Sequence, residues 1–122
     1  MIRDFTYIDD IVESLVRVVN KPAIPAKHFD KKNPNPSISW APHKVFNIGN
    51  SKPTPLMKYI NTIEHELGIE AIKIMQPIQP GDVPATESDC SQLYEWIGFK
   101  PNTSIEVGVK KFIEWYKNFY KI

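Results

Sequence analysis

The chain is short of cysteine, glycine and net charge, and each shortage excludes a class of protein. A single cysteine, Cys90, excludes an intrachain disulfide and fits a reducing compartment. Fifteen basic residues against fourteen acidic ones leave a net charge of +1, so nothing electrostatic favours general nucleic-acid or membrane binding. The three histidines, His28, His43 and His65, lie scattered without metal-ligand spacing, which argues against a metal site. No run is apolar and long enough to span a bilayer, and the first residues lack a signal-peptide layout, so cytoplasm is the expected location. None of the five glycines belongs to a Gly-x-x-Gly-x-x-Gly turn after a strand, the cradle that dinucleotide phosphates need. At 122 residues the chain suits one domain, residues 1–122, with a moderate core.

Proline, by contrast, is abundant. Five of the eleven prolines fall between Lys21 and His43, in a stretch that also carries Lys27, Lys31, Lys32, Asn33 and Asn35. Such a stretch cannot hold a regular ladder and reads as a long loop, functional or flexible.

The remainder reads as a mixed α/β pattern of about four helices and three or four short strands. The opening residues alternate at strand period through Phe5, Thr6 and Tyr7. Asp9 and Asp10 then stand at the positive start of a helix whose apolar positions are Ile11, Leu15, Val18 and Val19. Lys44–Gly49 has the profile of a buried strand, and Ala71–Met75 that of another. Thr54 is placed to cap a helix running through Leu56, Tyr59, Ile60, Ile63 and Leu67, with Gly68 as its C-terminal cap. Ser88 or Asp89 caps a short helix closed by Gly98. Thr103-Ser104-Ile105-Glu106 forms a capping box at the start of the last helix. That helix carries Ile105, Val109, Phe112, Ile113 and Tyr116 as an apolar stripe. Trp115, Phe119 and Tyr120 widen it beyond the needs of one core face.

Four short motifs occur in a telling order: Arg3-Asp4-Phe5-Thr6-Tyr7-Ile8-Asp9-Asp10, Phe46-Asn47-Ile48-Gly49-Asn50, Gln79-Pro80-Gly81-Asp82-Val83 and Ile97-Gly98-Phe99-Lys100-Pro101. In that order, and with the closing Phe112-Ile113-Glu114-Trp115-Tyr116, the chain resembles the UDP-glucuronate 4-epimerases. These are NAD-dependent members of the extended short-chain dehydrogenase/reductases. In that family the first motif lies in the second half of a chain well over twice this long. The resemblance therefore implies the C-terminal, substrate-binding part of such an enzyme, without the Rossmann cofactor domain.

The resemblance also implies roles. Arg3 would face the UDP pyrophosphate, which a rigid guanidinium fork suits. The plainer reading makes it a surface arginine or a partner of Asp4. Asp82 would accept the ribose hydroxyls, with Gly81 allowing close approach; the plainer reading has it stabilise its own turn. Gln79 stands where UDP-galactose epimerases carry an arginine, and so offers only an uncharged donor. Asp10 is accounted for by its place at a helix start, Phe5 and Tyr7 by packing, and Cys90 by a structural thiol. The family's proton-transfer pair, Tyr-x-x-x-Lys, is absent, because Tyr7, Tyr59, Tyr94 and Tyr116 are followed at that spacing by Ile11, Ile63, Gly98 and Tyr120. The expectation is a UDP-sugar-binding portion that binds no cofactor itself and is inactive alone, with NAD belonging to the parent enzyme. The competing expectation is a non-catalytic module that self-associates or binds a partner: the resemblance implies that the helix from Asp10 and the strand at Val45 pack on the cofactor domain, so that without it Phe46, Ile48 and several helix positions form an open apolar patch beside a free strand edge.

Overall fold

A computed structural model describes every residue from Met1 to Ile122. The elements run β1 (Ile2–Arg3), α1 (Ile8–Val19), β2 (Thr54–Pro55), α2 (Leu56–Leu67), α3 (Ser91–Ile97) and α4 (Ile105–Tyr120). The two strands are antiparallel, with Ile2 opposite Pro55 and Arg3 opposite Thr54. Helix α2 packs along α4, and α1 rests against α3.

Local chemistry explains most boundaries. Gly68 and Gly98 close α2 and α3 at φ 70° and 65°, a left-handed turn that a side chain would strain. At α3 the N-cap position is Cys90, without a side-chain cap, and Asp89 lies one residue outside it, accepting the amide of Ser91 at 2.9 Å. Two other capping expectations also shift. The Thr54 hydroxyl turns back to donate to the Lys52 carbonyl, so α2 starts without a side-chain cap. At α4 the cap is Ser104, whose oxygen accepts from Val107 N; Thr103 lies one residue outside.

The two other expected strands do not form ladders. Within Lys44–Gly49 only Lys44 pairs, through a single bridge to Ile38, and Ala71–Met75 is irregular and exposed. The apolar content was right for strands, but a strand needs a neighbouring edge, and no further edge lies alongside. Residues 21–43 carry no helix or ladder, and are cross-tied by Ala26 N to Ser39 O at 2.8 Å.

The core is small. Only nine residues are buried, among them Leu93, Cys90, Pro101, Val109 and Ile113, so backbone ties must hold much of the molecule together. Phe5 stacks face to face on Tyr59 at 4.2 Å, bringing the chain after β1 onto α2. Phe46 and Ile48, the strand part of the expected open patch, are half-buried, Phe46 lying against Trp96 at 6.1 Å. Open apolar surface lies on α1, where Ile8, Val12, Leu15, Val16 and Val19 are each at least 50% exposed, and also along residues 69–78 and the end of α4.

Candidate functional site

Residues 84–86 run beside β1 on the side away from β2. Ile2 donates to Pro84 O at 2.9 Å and accepts from Thr86 N at 3.2 Å. This register places the turn at 79–83 directly over Arg3. Asp82 N donates to Gln79 O at 3.1 Å, and Gly81 takes φ 88° with nothing near its missing side chain.

Arg3 and Asp82, far apart in sequence, meet here. Arg3 Nη2 donates to Asp82 Oδ1 at 2.5 Å, while Nη1 donates to the carbonyls of Ile2 at 2.8 Å and Val83 at 2.9 Å. Asp82 Oδ1 also accepts from Val83 N at 2.9 Å. Both side chains keep solvent contact, so the site is an open cation–carboxylate pair at the rim of a turn. Gln79 lies on the same turn but donates to Pro77 O at 3.3 Å, leaving it outside the pair. The structure thus brings two of the three anticipated site residues into contact and leaves the third nearby.

Asp4, the alternative partner for Arg3, faces the other way. Its carboxylate accepts backbone amides from Ser51 at 3.0 Å, Lys52 at 3.3 Å and Ser88 at 3.1 Å. Neighbouring residues of an extended chain point to opposite faces, and that period alone could have assigned Arg3 and Asp4 to different partners. Beneath Asp4, the Cys90 thiol both accepts from Gly49 N at 3.1 Å and donates to Gly49 O at 3.2 Å. Asp10 has a comparable role: its Oδ2 accepts Asn102 N at 3.1 Å and Thr103 N at 2.9 Å, fastening α1 to the segment before α4. These carboxylates build the frame that carries the site.

The chemistry open to this arrangement is recognition. A guanidinium with a carboxylate beside it can hold phosphate and hydroxyl groups. Tyr7 is a poor base: burial pushes its phenol above the usual value of 10, and the adjoining Asp9 carboxylate reinforces the rise. No His, Cys, Asp and Glu residues gather closely enough to hold a metal.

No family model matches the chain. Individual relatives do. CapI of Staphylococcus aureus is 50% identical over 121 residues, covering 99% of this chain and 36% of that protein. A probable UDP-glucuronate 4-epimerase of Rhizobium meliloti is 42% identical over 122 residues, again 99% of this chain and 36% of the relative. Among solved structures, UDP-glucuronic acid 4-epimerase from Bacillus cereus, in complex with NAD, superposes with a TM-score of 0.68 at 25% identity, over 98% of this chain and 31% of that one.

Over its whole length the chain matches extended short-chain dehydrogenase/reductase epimerases. It corresponds to their C-terminal part and spans about a third of the length of the curated relatives it matches. Epimerases of this family bind NAD, but the residues present here do not fit it. Gly68 and Gly98 close helices, Gly81 sits in a turn, and Gly49 and Gly108 are packed against Ser88 and Tyr7. None opens a helix after a strand, so no dinucleotide cradle is formed by this part of the epimerase fold.

Proposed function

We propose that this chain forms the nucleotide end of a UDP-sugar pocket in a UDP-glucuronate 4-epimerase, with Arg3 on the diphosphate, Asp82 on the ribose and Gln79 as a neutral donor beside them. The observation that carries this reading is the meeting of Arg3 and Asp82 across 79 positions of sequence. The similarity to named UDP-glucuronate 4-epimerases over nearly the whole chain supports the choice of nucleotide. The sugar-transforming step belongs to groups this chain lacks, so the chain alone is inactive and requires the cofactor domain of such an enzyme. The test is UDP titrated into isotope-labelled chain and followed by amide shifts. Saturable shifts at residues 2–4 and 79–83, abolished by Arg3→Ala, are the expected result. A folded chain with no shifts at millimolar UDP overturns the reading.

A second reading, self-association, is favoured by the face of α1. Its five large aliphatic residues, each at least half exposed, form a continuous stripe that water tolerates poorly. In a longer enzyme that stripe would be covered by the cofactor domain. In this chain alone it would pair copies, measurable as concentration-dependent mass in sedimentation.

A further inference from the structure

Arg3 carries a partner of its own before any ligand arrives. Of its five N–H donors, Nη1 is engaged by the Ile2 and Val83 carbonyls and Nη2 by the Asp82 carboxylate. Every one of these partners belongs to β1 or to the 82–83 turn. The carbonyls fix the direction of the guanidinium without changing its charge. The carboxylate differs, because it cancels the positive charge and occupies a donor that an incoming phosphate oxygen would use.

We propose that Asp82 is a latch on Arg3: the same carboxylate that would take the ribose first covers the guanidinium, and a diphosphate must displace it. This rests on the nucleotide-end reading given above. Asp82 can swing without dismantling the turn. The hydrogen bond that Asp82 N donates to Gln79 O holds the turn when the side chain moves, and Asp82 gives up at most the one bond its Oδ1 accepts from Val83 N. Once displaced, the carboxylate has both oxygens within reach of neighbouring hydroxyls. The exchange thus couples the two ends of the ligand, since an anion on Arg3 frees Asp82 to accept a sugar diol. The pair keeps solvent contact, with side-chain exposures of 23% and 33%, so the latch is a weak one and the exchange is easy.

The latch predicts an effect of opposite sign to that of simple contact. Asp82→Asn keeps an oxygen for Val83 N and the shape of the turn, but removes the charge that covers Arg3. Inorganic pyrophosphate, which has no ribose, is expected to bind this variant about threefold more tightly than the parent chain. Uridine, which has no phosphate, is expected to bind it more weakly. Calorimetry or amide shifts read both, with Asp82→Ser as a second variant should the first fail to fold. Unchanged or weakened pyrophosphate binding in a folded variant overturns the latch, as does failure of both chains to bind it. UDP binding that depends on Arg3 in those same samples leaves the nucleotide-end reading standing. Loss of UDP binding as well removes both.

Discussion

Around Asp4 almost every polar group has a partner, whereas along α1 hardly any large apolar group has one. The seam formed by Asp4, Gly49, Asn50, Ser51, Ser88 and Cys90 joins segments 84 residues apart in sequence by hydrogen bonds. Asn50 completes it by donating to Thr103 O at 3.0 Å, and only its Oδ1 is left without a partner. The α1 stripe, with Val19 77% exposed, contributes little to the folded chain as it stands. The difference separates two kinds of specification. The seam ties the chain together through its own polar groups, and the stripe is left without a partner within the chain.

The strongest way to break that contrast is at the seam. Asp4→Ala leaves the amides of Ser51, Lys52 and Ser88 without their acceptor, in a chain with very little core to compensate. The expected loss is about 3 kcal/mol, seen as a lower urea midpoint. A loss under about 1 kcal/mol, within the range of one ordinary hydrogen bond, would show that water replaces Asp4 freely. Gly49→Ala attacks the same seam sterically. A Cβ there would lie 2.4 Å from Ser88 Cβ and 2.9 Å from Asp4 Oδ2, so the segments must part. About 2 kcal/mol is expected, in the range of overpacked sites.

These two residues also mark how far the sequence could be read. Helix positions, the glycine caps and the family came from period and motif, because such signals are local. Arg3 and Asp82 were identifiable as candidates for the same reason, each sitting in a short recognisable turn or strand. Their contact was not, since nothing in either motif states that residues 84–86 lie beside β1. Asp4 was weighed only as a partner for Arg3, because its actual partners are backbone amides and leave no trace in side-chain identity. The strand expected at Lys44–Gly49 failed on the same ground: a short apolar run reports burial, and the pairing edge is supplied from elsewhere.

Helix starts sharpen the comparison at a smaller scale. Ser104→Ala removes the oxygen that accepts Val107 N, and about 1 kcal/mol of stability should go with it. Thr54→Ala removes a hydroxyl that caps nothing, and a change of only a few tenths of a kcal/mol is expected. Equal losses from the two would mean that the Thr54 hydroxyl serves α2 in solution.

On α1 the expected stability change is smaller still. The double substitution Val12→Lys and Leu15→Glu lies on the exposed stripe, so thermal or urea midpoints should stay within about 0.5 kcal/mol of the parent. Sedimentation at high concentration should change far more, with the parent associating and the variant monomeric. A destabilised variant would place the stripe against the chain's own core and remove the contrast with the seam.

The mildest prediction concerns a tie across the solvent side of α2 and α4. Lys58 Nζ lies 2.9 Å from Glu106 Oε1, with both side chains about half exposed. The hydrogen bond from Lys58, helped by the backbone amide of Glu106 and the Ser104 hydroxyl, pulls the Glu106 carboxyl down from 4.5 to about 2. A carboxyl depressed by folding stabilises the folded state above its unfolded pKa and ceases to do so as pH falls through its folded one. The contribution should therefore be complete above about pH 4.5 and fade between there and about pH 2. Urea midpoints of the parent and Glu106→Gln, compared from pH 6 downward, should converge across that window and separate less in high salt. A difference that persists unchanged to pH 2 would assign the Glu106 effect to helix capping shape, and the polar ties that hold the chain would then be those of the seam and Asp10 rather than this exposed pair.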